Sequence, residues 1–298
     1  MPNSSNLKVS ILLAVYNGEA YIEAAIQSVL NQTYENWELI IVDNGSTDNT
    51  AKICLKYAEL DDRIKFFKLL EKGKTKAYNK AFEESAGDFI CYFAADDILE
   101  FESIEKRLKI IELKENGTST CLLKTFSDDS AHNGVVFPKK KDSPNYSGGS
   151  IFFHRNIAEK LFPIPSSLPN EDTWSSLHIR AFGKNFHLPE VCYHYRIHDN
   201  NSYGYTLSFE EKREKFLHRM SAYELFYEKF KNQGIDFVDV YIHSFVKALA
   251  HARKWNRLPI MTMTKLPLRE RLIFVFYSSP FLYKIRYKYF KFFSGLFN

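Results

Sequence analysis

Carboxylates follow two apolar runs of this sequence, at the point where each run ends. Asp43 ends WELIIVD, and the adjacent Asp96 and Asp97 end FICYFAADD. Like charges side by side repel unless water or a cation neutralises them, and Mg²⁺ and Mn²⁺ prefer oxygen ligands. We therefore expect a divalent cation near Asp96 and Asp97, or else a solvated turn in which Asp97 begins a helix. Asp43 either accepts a nucleobase or ribose donor or serves ordinary turn chemistry.

Two further polar groups have types and spacing that suit chemistry. Glu171 and Asp172 stand at the start of a predicted helix, where one is a candidate general base and both suit the helix dipole. His194, Arg196 and His198 alternate along a predicted strand, so they are expected on one face. That face suits a diphosphate, or it is an exposed polar surface.

The elements that must position these residues alternate between strand and helix. Apolar runs predict strands in KVSILLAV, WELIIVD, RIKFFKLL and DFICYFAA, with amphipathic helices between them. This order favours an α/β fold with a doubly wound, mostly parallel sheet and helices on both faces. Ligands bind at the carboxyl ends of such strands, and the polar clusters at 16–19, 43–48 and 96–97 fall there.

The rest of the chain predicts fewer strands and more helix. We expect a helix at about 101–115, a strand in YSGGSIFFHRNI, a helix from Glu171 and a strand in NFHLPEVCYHYRIHDNNS. The pattern is helical from about 206 to 256, and no internal repeat is present. We predict two parts, an α/β domain over 1–205 and a helical, basic-aromatic extension over 206–298.

Composition supports a folded protein whose two parts differ in charge. The 298 residues are 45% hydrophobic and 26% charged, which suits a sizeable core. From Thr206 onward, 17 Lys and Arg stand against 8 Asp and Glu, so this part carries +9 and residues 1–205 carry −5 of the total of +4. Four dispersed cysteines predict free, buried thiols and a cytoplasmic protein. Neither a signal peptide nor a membrane-spanning run is expected.

The tail from Lys265 to Asn298 is both basic and aromatic. It has seven Lys or Arg, one Glu and eleven Phe or Tyr. It either packs as core helices with a solvated basic face or lies at a membrane surface, with aromatics in the headgroup boundary and cations near anionic lipid. Nucleic acid is not predicted as a partner, because the chain has no recognition motif and its front part is acidic.

Taken together, these stretches resemble glycosyltransferase family 2, with the nucleotide-diphospho-sugar transferase (GT-A) fold. The resemblance covers about the first 205 residues. It is carried by VSILLAVYNGEAYIEAAIQSVLNQTYENWELIIVDNGSTDNT, GKTKAYNKAFEESAGDFICYFAADDIL, EDTWSSLHIRAFG and YRIHDNNS.

The resemblance implies an inverting sugar transferase of bacterial surface polysaccharide or glycoconjugate assembly. A hydroxyl of a glycan or lipid-linked glycan, deprotonated by Asp172, would attack the anomeric carbon of a nucleotide-diphospho-sugar, most readily a UDP-sugar. Mn²⁺ or Mg²⁺, held by Asp96 and His198, would stabilise the departing diphosphate. The protein would act in the cytoplasm, at the inner face of the membrane if the tail binds lipid. The implied donor-binding residues are Tyr16, Glu19, Asp43, Lys76, Ala95, Asp96 and Arg196.

Three positions depart from the usual family pattern and bear on the donor. Ala14 stands where Pro is usual, Asn44 where Asp is usual, and Tyr78 where Arg is common. The nucleotide preference is therefore open. A nucleotidyltransferase on a similar fold is an alternative, although the basic Gly-rich loop that it would need is absent from AVYNGEAY.

The usual Asp-x-Asp-Asp motif is changed at its first position. Here it is Ala94-Ala95-Asp96-Asp97, so the first carboxylate is missing and the second is retained. We expect Asp96 to bear most of the metal binding, so that Asp96→Ala lowers activity more than Asp97→Ala. The missing carboxylate also leaves a non-catalytic nucleotide- or glycan-binding protein as an alternative.

Overall fold

The computed structural model describes residues 7–127, 133–198 and 207–286 and divides the chain into two compact units, 1–198 and 199–298. The predicted boundary after residue 205 lies outside the described residues. So do residues 199–202 of the YRIHDNNS stretch and residues 287–298 of the tail.

The first unit alternates strands and helices as far as its fourth strand, and then the order becomes irregular. Its elements are β1 (Val9–Val15), α1 (Ile22–Leu30), β2 (Trp37–Asp43), α2 (Thr50–Leu60), β3 (Ile64–Lys68), α3 (Lys74–Glu83), β4 (Phe89–Ala94), β5 (Ile98–Leu99), α4 (Ser103–Lys109), β6 (Gly117–Phe126), β7 (Val136–Phe137), a 3₁₀ turn (Gly148–Ser150), β8 (Ile151–His154), α5 (Arg155–Leu161), α6 (Asp172–Phe182) and β9 (Lys184–Arg196).

The strands of the described residues form one sheet in the order β3-β2-β1-β4-β8-β6-β9-β5, with β7 beside β6. β3, β2, β1 and β4 are parallel, as the strand–helix alternation predicts. β8 is antiparallel to β4 and β6, whereas β6 and β9 are parallel. The α/β prediction is confirmed, and the sheet is parallel in its first four strands and mixed beyond them.

The central strands are buried along almost their whole length because both of their faces are covered. β1 is buried at every position except Ala14, which is partly buried, and β2 is buried throughout. In the register, Val15 lies opposite Asp43 and Ala14 lies opposite Ala94. The ends of β1, β2 and β4 therefore meet at one edge, where the sequence placed its polar clusters.

The long strand β9 brings the segment before residue 198 back to this edge. It runs beside β6 and then pairs with the short β5, so that His194 lies opposite Ile98. The predicted helix at 101–115 is shorter than expected, at Ser103–Lys109. The four cysteines are buried free thiols, as predicted.

The second unit is helical, as the sequence predicts. Ser208 and Glu211 form a capping box at its first helix. In the described residues, no helix is both long and apolar enough to cross a bilayer. The helices are α7 (Phe209–Phe230), a π-helix (Phe237–Ile242), α8 (His243–Arg253), α9 (Leu258–Met261) and α10 (Leu268–Phe276).

Candidate functional site

Asp43 is completely buried at the end of β2. Its Oδ1 accepts a hydrogen bond from the Ser46 N–H at 2.9 Å, so the predicted turn chemistry is present. Among the described residues its Oδ2 has no hydrogen-bond partner, and the Nζ of Lys68 lies 4.0 Å away. A buried carboxylate oxygen without a donor is unfavourable. It is therefore suited to accept an N–H from a ligand.

Tyr16 lies beside Asp43 at the end of β1, with 47% of its surface exposed. The Nζ of Lys72 donates to its hydroxyl at 2.7 Å and lies 4.3 Å from the ring centre. The next residue, Asn17, has a φ of +48°, and its Oδ1 accepts from the Thr47 N–H. The loops after β1 and β2 thus hold each other and present an aromatic ring with a cation.

Two of the implied donor-binding residues are engaged by their neighbours. Glu19 Oε2 accepts from the N–H and the Nδ2 of Asn49, both at 2.9 Å. Lys76 pairs with the exposed Glu71 at 2.5 Å. Glu19 therefore ties the loop after β1 to the start of α2. The roles of Glu19 and Lys76 in donor binding stay predictions.

Asp97 is 2% exposed and is bound on both carboxylate oxygens, so the solvated, helix-starting turn is wrong for this residue. Tyr193 donates its hydroxyl to Oδ2 at 2.7 Å, and the N–H of Arg196 donates to Oδ1 at 2.8 Å. Burial and the neighbouring Asp96 raise the pKa of Asp97 well above its usual range, against the effect of these hydrogen bonds. Through these two hydrogen bonds, Asp97 links β9 to the end of β4.

Asp96 is less buried than Asp97 and keeps 30% of its side chain exposed. The Nε2 of His198 lies 3.0 Å from its Oδ2, and the Nε of Arg196 donates to its backbone carbonyl at 2.8 Å. The Arg196 guanidinium also lies 4.6 Å from the ring of Tyr21 and 4.3 Å from that of Phe126. Asp96, Arg196 and His198 are brought together as predicted.

His194 contacts a different carboxylate from the one that His198 contacts. Its Nε2 lies 2.8 Å from Glu100 Oε2 rather than near Asp96. β9 ends at Arg196, so strict alternation does not continue to His198. His194 and Arg196 both lie near the ring of Phe126, and the binding of a diphosphate by this basic face stays a prediction.

Asp96 and His198 fit a divalent cation in part. A carboxylate oxygen and an imidazole nitrogen 3.0 Å apart are donors that Mn²⁺ accepts. Within the described ranges, no cluster of three or more His, Cys, Asp or Glu side chains is arranged around a metal position. Substrate phosphates would have to complete the coordination, as is usual for Mg²⁺ sites. Ala95, beside Asp96, offers only its backbone and a methyl group.

Glu171 is buried directly before α6, and it does not cap that helix with its side chain. The Nζ of Lys74, at the start of α3, lies 3.2 Å from its Oε1 and 3.1 Å from its Oε2. Burial raises the pKa of Glu171, Lys74 opposes that rise, and Asp172 adds to it. Burial would lower the pKa of Lys74, but the charges of Glu171 and Asp172 outweigh it and raise the pKa.

Asp172 is the first residue of α6, and the backbone of the 3₁₀ turn at Gly148 lies close to its side chain. Its Oδ1 accepts from the N–H of Gly148 at 3.1 Å. A Cβ on Gly148 would come within 2.8 Å of Glu171 Oε1 and 3.0 Å of Asp172 Oδ1. A Cβ on Gly149 would lie 2.0 Å from the Tyr193 ring. The two glycines thus allow the 3₁₀ turn to pack against both the acidic pair and Tyr193.

Sequence reasoning missed Lys72, Lys74, Tyr193 and the contact role of the two glycines. Both lysines precede or begin α3, directly after the third parallel strand, so they belong to the ligand-binding edge. The acidic charge of residues 1–205 was a signal that cations at that edge would be paired. Tyr193 lacked any such signal, because a tyrosine within a strand usually packs in the core.

A family model and a curated relative match this chain. The model described as glycosyl transferase family 2 matches residues 10–162. EpsH of Bacillus subtilis, a glycosyltransferase by its description, is 29% identical over 209 residues, which are 64% of this chain and 61% of EpsH. The alignments span 15 to 42% of the next three curated relatives, so the chain covers less than two thirds of each of these proteins.

Solved structures share the fold at low sequence identity. TarS of S. aureus, in complex with UDP-GlcNAc, has a TM-score of 0.62 and 17% identity, covering 95% of this chain and 88% of that chain. The mannosyltransferase PcManGT from Pyrobaculum calidifontis, in complex with GDP-Man and Mn²⁺, has a TM-score of 0.61 and 16% identity, covering 97% and 81%. The predicted GT-A fold is confirmed by this similarity.

Proposed function

The chain belongs to glycosyl transferase family 2, and on that premise we propose that it transfers a sugar from a nucleotide-diphospho-sugar to a hydroxyl group of a glycan or lipid-linked glycan. A UDP-sugar is the proposed donor, and assembly of a bacterial surface polysaccharide or glycoconjugate is the proposed setting. The TarS and PcManGT complexes with nucleotide sugars support this class of donor.

The observation that carries the proposal is that two carboxylates with different surroundings, Asp96 and Asp172, lie at one edge of the sheet. Asp96 lies beside an imidazole and is partly exposed, whereas Asp172 is held by a backbone N–H beside a buried ion pair. The charges of both carboxylates act on the Lys74 ammonium, so they share one neighbourhood. A transferase needs one carboxylate near the diphosphate and another near the acceptor hydroxyl.

Each residue then has a distinct task in the proposed reaction. Asp43 accepts a hydrogen bond from an N–H of the base through Oδ2, which has no donor among the described residues, and Tyr16 lies against the base. Asp172 removes the proton of the acceptor hydroxyl, which attacks the anomeric carbon from the side opposite the diphosphate and inverts its configuration. Arg196 faces the diphosphate as it leaves.

Asp96 and His198 are the residues proposed to hold Mn²⁺ or Mg²⁺. When bound, such an ion supplies Lewis-acid stabilisation of charge on the departing diphosphate. His198 is 17% exposed and Asp96 30% exposed, so both side chains are accessible to a ligand. Asp97 has no such role in the proposal, because its two oxygens are already bonded within the protein.

We propose that the second unit contacts an anionic membrane through residues 253–269, at the cytoplasmic face. This segment contains five Lys or Arg and no Asp or Glu. Ile260 and Leu266 are fully buried and anchor it, whereas Leu258 is 81% exposed and Leu268 54% exposed. Arg253 pairs with Glu224, and the other four cations, among exposed apolar side chains, complement an anionic lipid surface. The segment overlaps only the beginning of the predicted tail.

A thermal-shift screen across nucleotide sugars, with and without Mn²⁺, tests the function. A donor that raises the melting temperature only with the ion identifies both donor and ion dependence. Incubation of that donor with candidate glycan acceptors should then release the nucleotide. Binding that is independent of metal, with no release from any donor, would instead indicate a non-catalytic binding protein.

A further inference from the structure

The ammonium of Lys74 faces an unusual concentration of negative charge. Both oxygens of Glu171 lie within 3.2 Å of its Nζ, and the charges of Asp172 and Asp96 act on it in addition. Lys74 is the first residue of α3, and Glu171 comes 97 residues later, so only the fold brings the two together.

We propose that Lys74 is a positioning residue that neutralises Glu171, so that Asp172 alone accepts the proton of the acceptor hydroxyl. This inference rests on the proposed transferase function. Asp172 and Glu171 both lie next to Gly148, and a Cβ added there would touch a carboxylate oxygen of each. Two neighbouring carboxylates tend to share a proton unless a cation neutralises one of them. While Asp172 held that shared proton, it could not accept another one from the acceptor hydroxyl.

Within the part of the chain that the structure describes, the tyrosines that pack near Glu171 supply no compensating cation. Tyr78 of α3 and Tyr92 of β4 are buried, and burial raises the pKa of each well above its usual value, so both are neutral. The negative charges of Glu171 and Asp172 add to this rise in the pKa values of both tyrosines. Loss of Lys74 would therefore leave Glu171 buried as an unpaired acid.

The test compares the pH dependence of nucleotide release in four proteins: the wild type, Lys74→Met, Lys74→Met with Glu171→Gln, and Lys80→Met. Lys80 lies on the same helix but pairs with Glu84 at its far end, so it is the matched control. We expect Lys74→Met to lower kcat about tenfold or more and to move the acidic limb of the profile upward by about one pH unit or more. Adding Glu171→Gln should reverse both effects, and Lys80→Met should change neither.

Rescue by Glu171→Gln separates positioning from direct substrate contact. If Lys74 instead bound the donor or the acceptor, removal of the Glu171 charge would restore nothing. A double variant as slow as Lys74→Met would therefore overturn the proposal, and so would full activity of Lys74→Met itself. An unchanged KM for the donor in Lys74→Met is also expected, because the proposed defect lies in proton acceptance.

A second measurement needs no turnover. Carboxyl-labelled protein titrated by NMR, with the Asp172 signal assigned by its loss in Asp172→Asn, reports the pKa of Asp172 directly. That pKa should rise in Lys74→Met and return in the double variant. If the wild type released nucleotide from no donor, the proposed function would fail, yet this titration would still decide the Lys74 inference. An Asp172 titration that is the same in all variants would refute it.

Discussion

Two buried glutamates at opposite ends of the same sheet have opposite surroundings. Glu38, near the start of β2, accepts from Ser10 Oγ at 2.7 Å, from the Ala86 N–H at 2.5 Å and from Lys65 Nζ at 3.0 Å. Burial alone would raise its pKa, but these hydrogen bonds lower it to about 2. Glu171, beyond the other end of the strands, has Lys74 as its cation and Asp172 as its neighbour, and its pKa is raised.

The difference indicates what each end of the sheet is for. Donors at the amino end satisfy Glu38 completely, so that carboxylate links β1, β2 and β3. At the carboxyl end, Asp43 Oδ2 has no hydrogen-bond donor among the described residues, and Asp97 and Glu171 have raised pKa values. Perturbed acids in one place are typical of functional sites, where ligands complete the interactions.

The largest expected effect is the loss of transfer in Asp172→Asn. The amide keeps the shape of the side chain but cannot accept a proton, so the rate should fall by roughly 10² to 10⁴. Nucleotide affinity and melting temperature should stay at wild-type values. Initial-rate assays together with calorimetric binding of the nucleotide would check this. Full activity in the variant would show that another group is the base.

Asp96→Ala and Asp97→Ala should fail in different ways. Asp96→Ala removes a proposed metal ligand, so activity and the Mn²⁺-dependent thermal shift should be lost while the fold remains stable. Asp97→Ala leaves the Tyr193 hydroxyl and the Arg196 N–H without their acceptor, at about 1–3 kcal/mol for each unmet group.

Urea unfolding and activity, measured on both variants, would separate the two aspartates. Asp97→Asn is the matched control, because the amide keeps the shape of the side chain and an oxygen that can accept from the Arg196 N–H. Equal, small losses in Asp96→Ala and Asp97→Ala would contradict both assignments.

Glu38→Gln should destabilise the protein without a direct effect on chemistry. A pKa lowered from 4.5 to about 2 corresponds to about 3 kcal/mol of stability. Because the folded-state pKa is the lower one, this stability is complete above about pH 5 and is lost as the pH falls toward 2. The variant should therefore show a smaller decline in unfolding free energy over this window. Glu35→Gln, at an exposed position, should match the wild type.

The smallest expected effect concerns the proposed membrane contact. Replacing Leu258 and Met261 with Ser should reduce sedimentation with vesicles that contain anionic lipid, because exposed apolar area is lost from residues 253–269. Leu60→Ser is the control, since Leu60 is 71% exposed but lies in the first unit. Equal sedimentation with neutral and anionic vesicles would contradict the role of charge.

Local pattern predicted the first four strands and the edge at which they end. Continuous apolar runs indicate strands covered on both faces, and intervening helices require parallel pairing. The same pattern did not predict that β8 would run antiparallel to β4, because a short strand after a long irregular segment carries no directional signal. Nor did it distinguish Asp96 from Asp97, whose adjacent carboxylates have the same chemistry in the sequence.

What the sequence by itself determined is the α/β order, the helical second unit and the carboxylates available at the strand ends, since these follow from short-range periodicity and residue type. The tertiary structure alone decided the partners. Tyr193 binds Asp97 across 96 residues, His198 meets Asp96 across 102, and Lys74 meets Glu171 across 97. These pairings depend on strand register and, for Glu171 and Tyr193, on the close approach allowed at Gly148 and Gly149. Both arise from packing of the whole sheet rather than from any local pattern.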